Sequence, residues 1–164
     1  MLKLVPATTA DTQTIHDIAE RVWSKHYIPN IITQDQMDYM MEWMYSANSL
    51  AKQMAEDAHF FMMDYKGQTV GYISINDNDG DLFLNKFYID TEYQRLNLGS
   101  NALALALSEF PGAKTIRLQV NRKNFKAINF YFKNGFTIEK VEDFDIGNNY
   151  LMEDYVMLKK LYEK

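Results

Sequence analysis

Gln94-Arg95-Leu96-Asn97-Leu98-Gly99-Ser100 is the stretch of this 164-residue chain whose residue types most directly suggest chemistry. A strand-like segment, residues 84–89, precedes it and the apolar run 102–107 follows, so it reads as a polar turn that opens a helix. Unpaired N–H groups and the positive end of the helix dipole converge at such a point and favour an anion, with a phosphate-bearing cofactor as the natural occupant. Gly99 lets a ligand approach the backbone closely, Asn97 tolerates a left-handed conformation, and Arg95 can meet phosphate as a charged fork. Taken alone, the same seven residues equally describe an ordinary loop with a helix-opening glycine.

A second segment runs from Asn121 to Phe136. Asn124 can cap a helix, Ala127 leaves room for something thin to lie against it, and Tyr131 follows one turn later. The plainer reading is an amphipathic helix with Phe130 and Tyr131 in the core. Asp77-Asn78-Asp79-Gly80 invites comparison with a calcium loop, but Ile75 and Lys86 stand where the first and last carboxylates belong. His16, His26 and His59 lack ligand spacing, so no metal is expected.

The elements that must position these residues follow from periodicity and punctuation. A first strand at residues 2–5 ends at Pro6, and from Asp11 a helix carries Ile15, Ile18, Ala19, Val22, Trp23 and His26 on one face. Pro29 ends that run. Thr33-Gln34-Asp35-Gln36 resembles a capping box before a second helix whose apolar face is Met37, Met40, Met41, Met44 and Tyr45. A short third helix spans about residues 49–56. Strands at 59–65 and 68–76 flank the two-residue turn Lys66-Gly67, and a third strand runs over 82–89 after the loop 77–80. The helix near Asn97 is apolar on most sides and is expected to be largely buried. Then come a strand at 115–120, a helix at 125–134 capped by Gly135, and strands at 137–144 and 150–161 around Gly147-Asn148-Asn149. Hairpins mixed with crossovers imply one α/β domain, residues 1–164, with helices on the faces of a mixed sheet.

Composition narrows the function classes. Hydrophobic residues are 47% and aromatics 14%, ample for a core. A net charge of −5 removes the usual electrostatic reason to expect nucleic acid and weakly favours cationic substrates. The chain has no cysteine, which excludes disulfides, thiolate metal sites and a cysteine nucleophile. No apolar run approaches a membrane span, and residues 8–14 are too polar for a signal peptide, so a cytoplasmic protein is expected.

Together the two segments resemble the Gcn5-related N-acetyltransferase (GNAT) family. Its phosphate loop, Gln/Arg-x-x-Gly-x-Gly/Ala, is met from Gln94 to Ser100 except that Asn97 replaces the first glycine. Its later pattern, Asn-x-x-Ala-x-x-Phe-Tyr-x-x-x-Gly-Phe, is met in full by Asn124, Ala127, Phe130, Tyr131, Gly135 and Phe136. The element order agrees from end to end. The resemblance implies a GNAT-like fold, a mixed and mostly antiparallel sheet with splayed central strands, and acetyl-CoA as co-substrate. It implies that the main chain of Phe87, Tyr88 and Ile89 faces the pantetheine and that Gln94, Arg95, Leu96, Asn97, Leu98, Gly99 and Ser100 hold the pyrophosphate. Asn124 and Ala127 would contact the pantetheine and its thioester end, and Tyr131 would protonate the departing thiolate. A phenol near pKa 10 suits that role.

Many relatives place a glutamate base on the strand that here carries Asn85 and Lys86. The base therefore stays open among Asp38, Glu42, Glu153, Asp154, a histidine or a water chain. In this fold the early helices wall the acceptor site. Trp23 with Tyr27, and Tyr39 with Trp43, lie one turn apart, and Glu42 is near, so Trp23, Tyr27, Tyr39 and Glu42 are candidates to receive an ammonium. The opposing reading puts Trp23 in the core and the carboxylates on a solvated face. The helical region is loosely similar to bacterial PaiA-type polyamine acetyltransferases, which points to a small-molecule amine, a polyamine above all. Protein amino groups and a non-catalytic acyl-CoA-binding module are the alternatives. Homodimers are common in the family, and the apolar strand Tyr155-Val156-Met157-Leu158 could pair across an interface or equally lie buried.

Overall fold

The computed structural model describes residues 1–161 and divides into two compact units. The strand order is β1-β2-β3-β4-β5-β7-β6 in a seven-stranded mixed sheet.

The first unit comprises Met1–Asn76 and Asn85–Pro111. It opens with β1 (Leu2–Pro6) and a 3-10 turn (Thr9–Asp11) closed by reciprocal capping between Thr8 and Asp11. Helices α1 (Thr12–His26), α2 (Gln34–Tyr45) and α3 (Ala47–Ala55) follow. The expected stripe of α1 is buried from Ile15 to Trp23. On α2, Met37, Met40, Met41 and Tyr45 are buried, and the Thr33 hydroxyl accepts from the Gln36 N–H. Strand β1 runs antiparallel to β2 (Ala58–Tyr65), and β2 antiparallel to β3 (Gln68–Asn78). The turn between β2 and β3 is Lys66-Gly67, both at positive φ, which suits the strand twist.

Strand β4 (Asp81–Ile89) follows a tighter turn than the sequence suggested. β3 runs to Asn78, leaving Asp79 and Gly80, at φ 52° and 92°, as the turn; no calcium-type loop remains. A second 3-10 turn (Thr91–Leu96), which periodicity did not reveal, leads into α4 (Leu98–Leu107). Helix α4 is less buried than its composition suggested: Leu98, Ala102, Leu103 and Ala106 are enclosed, while Ser100, Asn101 and Ala104 are exposed. Alanine and leucine report a preference for burial, not whether anything covers that side.

Gly71 fixes the approach of β3 to β4. A Cβ there would run into the backbone oxygen of Tyr88 and lie 3.1 Å from Cα of Ile89. Gly71→Ala is therefore expected to displace the end of β4 and cost about 3 kcal/mol, an overpacking penalty against backbone that cannot yield. Urea unfolding checks this; a loss under 0.5 kcal/mol, about the size of an ordinary surface change, would contradict it.

The second unit holds Asp77–Leu84 and the chain from Gly112 onward. Asp81, Leu82 and Phe83 of β4 run parallel to Thr115, Ile116 and Arg117 of β5 (Thr115–Asn121), and among the described residues no further rung joins those strands. Helix α5 (Phe125–Lys133) leads to β6 (Thr137–Gly147) and β7 (Tyr150–Lys160). Strand β7 is antiparallel to β5 along one edge and to β6 along the other. The stretch Tyr155–Leu158 is thus interior, and the lateral pairing contemplated for it is already taken within the chain. β6 is the edge strand, and it is exposed along most of its length.

Candidate active site

The turn that opens α4 lies in the first unit. Asp90 ends β4: its N–H donates to the Val70 carbonyl (2.8 Å), and its Oδ1 accepts from the Thr91 N–H (2.8 Å), starting the 3-10 turn. Arg21 of α1 grips the same carboxylate as a fork, Nε to Oδ1 at 3.0 Å and Nη2 to Oδ2 at 2.7 Å. Gln94 donates from Nε2 to the Ile89 carbonyl (2.8 Å), and its Oε1 lies 2.9 Å from His26 Nε2. The loop is therefore anchored by Arg21, His26 and Asp90, none of which the sequence reading assigned. The Gln94 side chain engages protein groups.

Asn97 adopts φ 55°, ψ 38°, the left-handed conformation expected, and its side chain does not cap α4. The first-turn N–H groups of α4, at Leu98, Gly99, Ser100 and Asn101, thus receive no carboxamide from Asn97. Gly99 does not adopt a positive φ, so left-handed geometry is not what its position requires. A left-handed entry, a glycine and an uncapped helix start fit a diphosphate.

Around β4 the unit packs aromatic rings. Trp23 meets Tyr27 (5.6 Å between centroids), Tyr45 (5.5 Å) and Tyr88 (6.3 Å). Tyr72 meets Tyr88 (5.9 Å), and its hydroxyl donates to that of Tyr45 (3.1 Å). Burial holds both of these phenols well above the usual range, so they stay neutral. Tyr27 donates to the Tyr88 hydroxyl (3.4 Å). Trp23 is 2% exposed and belongs to the core, while Tyr27 is half-buried beside it. Tyr39 stacks on Trp43 at 6.3 Å; Trp43, Glu42 and Asp38 are exposed on α2.

Lys86 stands on β4 where a carboxylate was sought. It is 4% exposed, donates to Gln53 Oε1 (2.6 Å), and lies 5.4 Å from the Tyr45 ring and 5.7 Å from that of Phe60. Burial lowers its pKa from 10.5 to about 8. The folded chain holds this proton less tightly than the unfolded one. The charge therefore costs stability in full below pH 8, and the cost is relieved as pH rises from about 8 to 10.5. The wild type is expected to gain about 3 kcal/mol relative to Lys86→Met across that window. Denaturant titrations at pH 7, 9 and 10.5 measure it; a constant difference would contradict it.

In the second unit the β5–α5 turn is tight: the Asn124 N–H donates to the Asn121 carbonyl (2.9 Å), and the Asn124 carboxamide accepts from the Ala127 N–H (3.3 Å). Tyr131 is half-buried, edge-on to Phe130 and Phe136, each at 5.4 Å. Its carbonyl accepts from the Phe136 N–H (3.0 Å), a reversal that Gly135 permits at φ 91°. The spacing Phe-Tyr-x-x-x-Gly-Phe thus has a physical reason: the chain folds back so that Phe136, 1% exposed, supports the Tyr131 ring.

Among the described residues, no cluster of three or more His, Asp or Glu could hold a metal ion, and no helix is long and apolar enough to cross a membrane.

A family model described as an acetyltransferase (GNAT) domain matches residues 30–149, and the chain belongs to that family. It is an N-acetyltransferase that takes acetyl-CoA as co-substrate. The chain is 27% identical over 150 residues to a spermidine N(1)-acetyltransferase of Thermoplasma acidophilum, covering 87% of this chain and 90% of the relative. It is 26% identical over 128 residues to the spermine/spermidine N(1)-acetyltransferase of Bacillus subtilis, covering 70% and 81%. In fold it is similar to the PaiA N-acetyltransferase of Thermoplasma acidophilum, solved with coenzyme A, with a TM-score of 0.81 at 24% identity over 98% of this chain and 99% of that one.

Proposed function

We propose that this chain acetylates a primary amine of a small aliphatic polycation, a polyamine such as spermidine or spermine. The observation that carries the reading is the likeness to a spermidine acetyltransferase along 90% of that relative's length. The net charge of −5 and the neutral phenol cluster of the first unit are consistent with a cationic acceptor.

Acetyl-CoA, when bound, supplies an activated acyl carbon and a thiolate leaving group. In this reading the main chain of Phe87, Tyr88 and Ile89 lies along the pantetheine. The backbone from Gln94 to Ser100 receives the pyrophosphate at the start of α4, and Asn124 and Ala127 contact the thioester end. Tyr131 gives its proton to the thiolate. Tyr27, Tyr39 and Glu42 wall the acceptor, with Trp23 backing Tyr27 from the core. The test compares acceptors: kcat/KM for spermidine or spermine is expected to exceed that for peptide N-termini by about 100-fold or more. A preference for peptides would replace polyamines by protein amino groups.

A further inference from the structure

The turn that opens α4 is tied down at its start and exposed at its tip. At the start, the Asp90 N–H is bound to the Val70 carbonyl, and the Asp90 carboxylate is shared between the Thr91 N–H and the Arg21 fork. At the tip, Arg95, Leu96 and Asn97 are exposed, and burial resumes at Leu98. Exposed side chains contribute little packing to hold a backbone, so the residues on either side of the tip must set it. On the side of β4 that residue is Gln94, half-buried, with both ends of its carboxamide engaged.

Gln94 donates from Nε2 to the Ile89 carbonyl (2.8 Å), which leaves Oε1 as the acceptor that faces His26 Nε2 at 2.9 Å. A carbonyl oxygen cannot donate, so in this contact the His26 ring carries its proton on Nε2. His26 is the last residue of α1, a little over one turn beyond Arg21. One helix therefore holds the turn at both ends.

We infer that His26 is a positioning residue for the cofactor: it fixes the Gln94 carboxamide, and through it the path of the chain into α4. The first-turn N–H groups at Leu98, Gly99 and Ser100 are thereby aimed before a ligand arrives. The inference rests on the reading that this turn receives the pyrophosphate. A glutamine side chain is flexible, and its carboxamide can present either end to a neighbour. The Ile89 carbonyl, which only accepts, and the His26 N–H, which donates, select one orientation between them. A site made of backbone donors binds an anion well when those donors are already in place, since ordering them on binding costs affinity. All of these residues belong to the first unit.

The test is the dissociation constant of two ligands, coenzyme A and pantetheine, which has the same thiol arm without the diphosphate. Calorimetry gives the first and displacement the second, and no amine is needed, so the result is independent of the polyamine reading. Wild type should bind coenzyme A at least about tenfold more tightly than pantetheine. His26→Ala should weaken coenzyme A about tenfold, the equivalent of one hydrogen bond, and leave pantetheine within about twofold. His26→Gln, whose amide nitrogen can take the place of the ring Nε2, should restore most of that loss. Gln94→Leu should weaken coenzyme A at least as much, and adding His26→Ala to it should cost nothing further.

An equal loss for both ligands in His26→Ala overturns the inference, because a general effect on the fold would not distinguish them. Unchanged coenzyme A affinity in His26→Ala overturns it too, as does an additive loss in the double variant. Gln94→Leu leaves α1 intact, and unchanged affinity there is equally decisive. Wild type that binds both ligands alike refutes the diphosphate turn and this inference with it. Wild type that discriminates, beside a His26→Ala that discriminates as well, refutes the role of His26 alone.

Discussion

Gly99→Glu should abolish acetyl-CoA binding while leaving the protein folded. The substituted residue is the second of α4, where the backbone is helical and imposes no strain on a side chain. A carboxylate in a first helical turn interacts favourably with the dipole, so the helix itself is not weakened. The same carboxylate would occupy the space meant for the pyrophosphate and add like charge at contact distance. A repulsion of about 4 kcal/mol at an effective dielectric near 20 corresponds to an affinity loss of roughly 1,000-fold. Calorimetric titration with coenzyme A measures it, and thermal unfolding serves as the control. Affinity within threefold of wild type would remove the start of α4 from the cofactor site.

Tyr131→Phe should lower kcat about 100-fold or more, the range expected for losing a positioned acid, with little change in coenzyme A affinity. The ring is held edge-on by Phe130 and Phe136 and by the reversal at Gly135, and phenylalanine keeps all of those contacts. The hydroxyl alone is removed. The effect should be confined to turnover, and a poorer leaving group than the CoA thiolate should exaggerate it. Unchanged turnover would assign the thiolate's proton to another donor.

The two segments that suggested acetyl transfer were legible because each carries its reason locally. Asn97 and Gly135 take the left-handed conformations that their types allow, and Asn124 caps the helix that it precedes. Strand and helix spans followed from period and punctuation for the same reason. What was hidden depends on partners distant in sequence. The Arg21–Asp90 fork joins residues 69 apart, and nothing near either one announces it. An Asp-Thr-Glu start at Asp90 was the available hint of the 3-10 turn. Lys86 and Asp154 look like ordinary charged residues in alternating strands, and only their burial makes them unusual. The interior place of β7 is likewise a matter of long-range register, since an apolar run reads the same at an edge or inside a sheet.

Lys86 and Asp154 are buried charges of opposite sign in different units, each without a countercharge bonded to its side chain among the described residues. Residues kept in that condition at a cost in stability are candidates for function. Lys86 is tied to Gln53 and sits against two rings. Asp154 keeps Oδ2 buried with no hydrogen-bond partner among the described residues.

The measurement that bears most directly on the account is thiol release from acetyl-CoA with and without spermidine, paired with mass analysis of the amine. The account predicts spermidine-dependent release, one thiol for each acetyl group found on the polyamine. Release no faster than acetyl-CoA hydrolysis alone, under conditions where coenzyme A binds, would contradict it.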